Sequence, residues 1–135
     1  MNIELTKQQF RLLLDMVYIG NWILNSSRGQ DRIKDYDDLE SFLFTQCLKN
    51  DMPSVTQIRN GRAVPSAAFA DGGIHEAIMD YEDAVFFEIL AEELARRDMQ
   101  NEGISQDDYE ELMQRINEYI EEFDENGLEN LSVDM

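Results

Sequence analysis

IHEAIMDYEDAVFFEILAEELARRDM, residues Ile74 to Met99, is the densest apolar stretch of the chain. At the helical rotation of about 100° per residue, its apolar side chains form two stripes rather than one. The stripe around Ile78 lies opposite the stripe around Phe87 and Leu90, and the face changes near Val85. This segment is therefore predicted to be the centre of the fold, against which the other helices pack.

The change of face has two explanations. Either one helix is contacted from two sides, or the helix kinks or splits near Asp80, whose side chain could cap a new helix with Asp83 at its third position. The kink or split is the preferred interpretation. Because a four-helix monomer easily covers only one such face, and because two-fold dimers are the commonest assembly, the pattern also predicts a homodimer. The residues expected to be buried here are Val85, Phe86, Phe87, Ile89 and Leu90.

The N-terminal half of the chain predicts two further helices. Thr6 followed by Gln9 has the spacing of a capping box, so the first helix is expected from about Lys7 to Ser26. Asp35 is a suitable cap for the second helix, which should end before Pro53.

The C-terminal region predicts the last helix, from about Gln106 to Asn126. Ser105 is expected to cap it and Gly127 to end it. Its apolar residues fall within about one third of the helical wheel, and the opposite side is almost wholly acidic. Residues 128–135 are predicted to form a C-terminal tail.

Residues 51–73 interrupt the helical pattern with two prolines and three glycines, which predicts a long irregular loop. Asn60-Gly61 is a strong hairpin signal, but Pro65 weakens the second strand. A small hairpin and a loop with a helical turn after Ser54 both remain open, and the loop is preferred.

Together these patterns predict an all-α fold, a single-domain bundle of four main helices over residues 1–127. A chain of 135 residues is long enough to bury one core without a metal ion or a disulfide. The residues predicted to meet in that core are Trp22, Phe42, Phe87, Leu90, Leu112, Ile116 and Phe123.

Two segments carry a resemblance to other proteins. They are ELTKQQFRLLLDMVYIGNWILNS, residues 4–26, and DYEDAVFFEILAEELARRD, residues 80–98. Both are similar to small, uncharacterised bacterial all-helical proteins of unknown function. The resemblance covers roughly half of the chain and implies a helical fold, but no activity, because it contains no catalytic motif.

The net charge of −18 is distributed very unevenly. Residues 1–73 contain nine acidic and eight basic residues, whereas residues 74–135 contain 20 acidic residues and only three arginines. Such a charge repels nucleic acid and anionic membranes and attracts basic proteins or cations. Direct nucleic-acid binding and membrane binding are therefore not predicted.

The sequence contains little of the chemistry of an active site. Cys47 is the only cysteine and lies on an apolar helical face, so it is predicted to be a core residue. His75-Glu76 begins like the zinc-protease motif HExxH, but Met79 stands where the second histidine is needed. His75 is thus predicted to have a packing or solvent role, and no cofactor is predicted. Glu4, where a signal peptide would be basic, favours a cytoplasmic protein.

An enzyme remains an alternative only through carboxylates. Glu76, Asp80 and Asp83 are spaced i, i+4 and i+7, so they share one side of a helix and are candidate ligands for a divalent metal ion. This spacing is also typical of an ordinary solvated face. The alternative function is therefore a carboxylate-based metal-binding protein or enzyme.

The preferred hypothesis is an intracellular interaction or adaptor module that uses an acidic helix face to bind a basic partner protein. Like-charge pairs at i, i+4 destabilise a helix by roughly 0.2 to 0.5 kcal/mol each, and the last helix contains several. The competing interpretation is a surface that is acidic only for solubility. The predicted partner-binding residues are Glu118, Glu121, Glu122 and Glu125.

Overall fold

The computed structural model describes all 135 residues. The chain is mostly helical, as the periodicities predict, and no helix is long and apolar enough to cross a membrane. Four main helices are present: α1 (Lys7–Asn25), α2 (Lys34–Lys49), α4 (His75–Asn101) and α5 (Tyr109–Asn126). A short helix, α3 (Ala67–Phe69), continues into a helical turn over Ala70–Ile74.

The predicted start of α1 is confirmed. The Gln9 backbone N–H donates to Thr6 Oγ1 at 3.1 Å, and the Thr6 backbone N–H donates to Gln9 Oε1 at 2.9 Å. The predicted cap of α2 is wrong, because α2 begins after Ile33, which makes no side-chain cap, and Asp35 lies in the first turn. There the negative charge of Asp35 is still favourable next to the positive end of the helix dipole.

Helix α5 begins three residues later than predicted. Asp108, and not Ser105, caps it, and Asp108 Oδ1 accepts a hydrogen bond from the Glu111 backbone N–H at 3.2 Å. Serine and aspartate cap helices about equally well, so the local sequence could not separate the two positions. The predicted end is confirmed, since the helix stops at Asn126 and Gly127 has a φ of 57°.

Residues 51–73 are not an irregular loop. A helical turn over Pro53–Val55 leads into an antiparallel hairpin of β1 (Thr56–Arg59) and β2 (Arg62–Pro65). Both interpretations of this segment were therefore partly right, because it contains the hairpin as well as the helical turn near Ser54.

The turn of the hairpin explains why the strands form. Asn60 and Gly61 have φ values of 53° and 76°, the left-handed conformation that a two-residue turn needs. Pro65 pairs with Thr56 at the end of the ladder, where its missing N–H interrupts no bond between inner residues.

The predicted kink or split near Asp80 is wrong. Helix α4 is continuous from His75 to Asn101, and the backbone leaves helical geometry only before it, at Gly72 and Gly73. The change of apolar face accompanies a change of cluster along the chain rather than a bend in the helix. Ile74, just before α4, packs on one buried cluster and Ala91 belongs to another.

The contacts divide the chain into two compact units, Met1–Met79 (unit 1) and Asp80–Met135 (unit 2). The prediction of one domain over residues 1–127 with a tail over 128–135 stays a prediction. Unit 1 buries Leu14, Phe44, Cys47, Met52, Ala63 and Phe69 in one cluster. Unit 2 buries Ala91, Leu94 and Phe123 in one cluster and Ala95, Met99 and Leu112 in another.

The predicted core is wrong at several positions. Phe42 is 62% exposed, and Phe86 and Ile89 are exposed as well. In α2 the fully buried aromatic residue is Phe44, whose ring meets the Phe69 ring edge-on at 5.2 Å. Phe69 comes from the segment predicted to be irregular, so its influence on the inner face of α2 could not be foreseen.

Candidate functional site

The predicted partner-binding residues lie on α5 and are called the acidic face: Glu118, Glu121, Glu122 and Glu125. Three of them are exposed. Glu122 is partly buried and accepts hydrogen bonds from the side-chain amides of Asn126, at 3.1 Å, and Asn130, at 2.7 Å. The acidic face is therefore formed on one side of α5, but Glu122 is partly committed to local contacts.

No basic side chain neutralises the acidic face within unit 2. Arg115, the only basic residue of α5, pairs with Glu111 at 2.7 Å and with Glu102 at 2.5 Å. Arg96 pairs with Glu92 and Arg97 pairs with Asp98, also away from the acidic face. All three arginines of the unit are thus used elsewhere.

The candidate metal ligands Glu76, Asp80 and Asp83 are all exposed on α4, and the continuous helix preserves their spacing. No group of three or more His, Cys, Asp or Glu side chains in the chain is arranged to hold a metal ion. The metal hypothesis rests on the sequence alone and stays a prediction.

An apolar groove in unit 1 was not predicted. It has a volume of about 860 Å³ and lies along α1, α2 and the residues before α1. Its side chains include Met16, which is 71% exposed, Phe42, and Leu12, which is 56% exposed. Exposed apolar surface of this kind is typical of interaction sites. The groove was not foreseen because Phe42 was expected to lie in the core.

A smaller pocket in unit 1 has a polar and aromatic lining and a volume of about 270 Å³. We call it the Glu40 pocket. Helix α1 supplies half of the lining, α2 supplies Glu40, and Ser26 and Arg32 come from the connection between them. The lining residues are Tyr18, Asn21, Trp22, Ser26, Arg32 and Glu40.

Arg32 donates three hydrogen bonds to neighbouring residues. Its Nε and Nη2 atoms donate to the two carboxylate oxygens of Asp37 at 2.9 and 2.8 Å, and its Nη1 donates to the Asn25 carbonyl at 3.3 Å. The Asn21 side chain also donates to Asp37, at 2.9 Å. The hydrogen bonds from Arg32 lower the pKa of Asp37 to about 2. Arg32 and Asp37 therefore form a neutral, rigid pair at the rim of the pocket.

Glu40 has no such partner. It forms no ion pair, and burial raises its pKa to about 7, with a further contribution from the negative charge of Asp37. The Asn21 amide and the charge of Arg32 only partly offset this rise. Glu40 is thus a carboxyl group that changes its charge near neutral pH, a property that clusters at functional sites.

The aromatic side of the pocket is held by His75. Its Nδ1 lies 3.1 Å from the Tyr18 hydroxyl oxygen, and its ring meets the Trp22 ring edge-on at 4.5 Å. Burial, followed by the charge of Glu40, raises the pKa of Tyr18. Of the packing or solvent role predicted for His75, these contacts show the packing role. Asn21 and Asn25 are polar residues one helical turn apart on the inner face of α1, and they are a sequence signal that could have revealed this pocket.

Cys47 is fully buried, as predicted, and burial raises the pKa of its thiol. A raised pKa disfavours the thiolate, which is the nucleophilic form of cysteine. The side chain of His75, the only histidine, contacts Tyr18 and Trp22 instead. Cys47 therefore has the properties of a structural residue.

No protein-family model, no curated protein and no solved structure matches this chain. The resemblance to small bacterial all-helical proteins stays a prediction.

Proposed function

We propose that the chain is a protein–protein interaction module and that its acidic face binds a basic partner protein. The main support for this proposal is that the side chains of the acidic face are all negatively charged and that no arginine of unit 2 forms an ion pair with them. Electrostatic complementarity of this kind accelerates encounter and selects partners by charge.

The position of the acidic face along α5 supports the proposal. Its residues lie in the C-terminal half of the helix, where the helix dipole is negative and basic side chains are favourable. The last turn of α5 contains no basic residue. The helix therefore carries an avoidable electrostatic cost, and binding a basic surface would relieve that cost.

We place this interaction in the cytoplasm. The support is the single cysteine of the chain, which is free and buried, as is common where thiols stay reduced.

A pull-down from the native cell at low and at high salt tests the acidic face. We compare the wild type with a variant in which Glu118, Glu121, Glu122 and Glu125 are changed to Gln. The wild type should recover a basic protein at low salt, and both the variant and high salt should abolish its recovery, because surface attraction is screened within about 10 Å at 0.1 M salt.

A matched control separates the acidic face from total charge. Changing Glu82, Glu88, Glu93 and Glu129 to Gln removes the same charge from exposed positions outside the acidic face. This control should recover the same partner as the wild type. Equal recovery by all three proteins, or recovery by none, would rule out the acidic face as the binding site.

The apolar groove favours a second candidate function, self-association. Its exposed side chains leave an apolar surface uncovered in the monomer. Unit 1 has ten acidic and eight basic residues, so two copies can meet there with little charge repulsion, whereas unit 2 would repel its own copy. We propose that a second copy of the chain covers the groove and that the protein is a homodimer.

Sedimentation velocity tests the dimer. The wild type should sediment at twice the monomer mass of 15.7 kDa, and a variant with Leu12, Met16 and Phe42 changed to Gln should sediment as a monomer. Ile58→Gln is the control, because Ile58 is equally exposed but lies on the hairpin, outside the groove. A wild type that stays monomeric at high concentration would remove this candidate.

A further inference from the structure

We propose that the Glu40 pocket binds an organic ammonium group, with the Glu40 carboxylate as its counter-ion and Trp22 and Tyr18 as its aromatic wall. This site lies within unit 1 and does not depend on the acidic face. It is an additional binding function.

The charge balance of the pocket selects a cation. The positive charge of Arg32 is matched by its two hydrogen bonds to Asp37, so Arg32 has little left to offer an anion. The unmatched charge is that of Glu40, which forms no ion pair. A bound cation would supply the missing partner, and partly buried charge pairs are screened less than surface pairs.

The lining and volume of the pocket favour an organic cation over a metal ion. A metal ion needs several oxygen ligands, and no suitable group of side chains is present in the chain. Tyr18 and Trp22 instead provide aromatic rings, whose faces attract ammonium groups electrostatically. A volume of about 270 Å³ accommodates a small alkylammonium group.

An ammonium group of this size has two sources, a free small amine and the side chain of a lysine in a partner protein. Both present the same chemistry to Glu40. The experiment therefore uses n-butylammonium as the free amine and Nα-acetyl-lysine methylamide as the protein-like probe.

Trp22 provides the readout, because it is the only tryptophan in the chain and it lines the pocket. At pH 8, where Glu40 is ionised, n-butylammonium should change the Trp22 fluorescence in a saturable way at constant ionic strength. Glu40→Gln should weaken this binding at least about tenfold, since the charge partner is lost. The matched control is Asp35→Asn, which removes an exposed, unpaired acid from the same helix and should leave binding unchanged.

The pH dependence gives a second test. Lowering the pH from 8 to 5 should weaken binding to the wild type at least about tenfold, because Glu40 takes up a proton, but should leave Glu40→Gln unaffected. The other titratable or charged groups that face the pocket are Tyr18, Arg32, Asp37 and His75. Because the Trp22 ring also contacts the His75 ring, calorimetry on both proteins measures the affinities independently of the fluorescence.

Each outcome decides the proposal. Binding of n-butylammonium alone supports a free amine, and binding of both probes supports a partner's lysine. No saturable binding of either probe, or equal affinity in folded Glu40→Gln, would overturn the proposal. Circular dichroism establishes that this variant is folded.

Discussion

The two units use charge in opposite ways. Unit 1 has ten acidic and eight basic residues, and its ion pairs fix local structure; Arg62 of the hairpin, for example, binds Asp38 of α2 at 2.7 Å. Unit 2 has 19 acidic residues and three arginines, so most of its acidic side chains have no internal partner. The charged side chains of unit 1 therefore stabilise its own structure through ion pairs. Most acidic side chains of unit 2 are unpaired and can interact with other molecules.

Both units expose some apolar side chains, Phe86 and Ile89 among them in unit 2, but only in unit 1 do such side chains line a groove. The apolar stripe of α5 predicted from the sequence contributes Leu112 and Phe123 to the buried clusters of unit 2. Unit 1 buries Phe44 but leaves Phe42 and Met16 exposed in the groove. We therefore expect apolar and pocket-type recognition in unit 1 and electrostatic recognition in unit 2.

The largest expected effect is that of Phe44→Ala. Phe44 is 0% exposed and packs against Phe69, so its truncation leaves a cavity at the centre of unit 1. We expect a loss of about 3 to 5 kcal/mol in the free energy of unfolding, measured with urea.

The matched control is Phe42→Ala, on the same helix. Because Phe42 is 62% exposed in the monomer, this change should alter the stability of the monomer, measured at concentrations too low for a dimer, by less than about 0.5 kcal/mol. A large loss in the monomer would mean that Phe42 is covered by its own chain and that the contrast between the two faces of α2 is wrong.

The next effect is the pH dependence of Glu40→Gln. The folded-state pKa of about 7 lies above the ordinary value of 4.5, so protonated Glu40 contributes stability below pH 4.5 that is lost as the pH rises through 7. This loss is at most about 3 kcal/mol, from about 1.36 kcal/mol per pKa unit. Glutamine stays neutral, so Glu40→Gln should gain stability relative to the wild type between pH 4.5 and pH 8.

Urea unfolding of both proteins at several pH values measures this difference. A difference in unfolding free energy that does not change with pH would show that Glu40 is solvated. Glu40 would then not differ from the exposed acidic side chains of unit 2.

The smallest effect comes from two glycines of unit 1. Gly61 has a φ of 76°, so Gly61→Ala should destabilise the hairpin by roughly 1 to 2 kcal/mol. Gly20 lies inside α1 with nothing within 4 Å of an added Cβ, so Gly20→Ala should stabilise the protein by up to about 1 kcal/mol. Thermal unfolding should show shifts of opposite sign, and shifts of the same sign would contradict the assigned turn.

Local patterns were enough to predict the start of α1 and the end of α5, because the capping box of Thr6 and the stop at Gly127 depend on residues a few positions apart. The turn signal at Asn60-Gly61 is equally local, but Pro65 made the loop the preferred interpretation, so the hairpin was only the alternative. The clean apolar stripe of α5 is also a local pattern, because one helical period explains it.

The remaining features depend on contacts between distant residues. The choice of Phe44 over Phe42 as the buried residue depends on Phe69, which is 25 positions away from Phe44. The Glu40 pocket brings together α1, α2 and His75, which no sequence spacing connects. The acidic face could be located from the sequence. That no arginine neutralises it could not be predicted, because this depends on which acidic residues the three arginines of unit 2 contact in the fold.

The most direct test of the central claim, that unit 2 binds a basic partner through the acidic face, is the association rate of a captured partner as a function of ionic strength. For the wild type we expect the rate to fall at least about tenfold from low to physiological salt, because attraction between surface charges is screened. The variant with all four glutamates changed to Gln should associate slowly and with little salt dependence. The same rates and the same salt dependence in both proteins would contradict the claim.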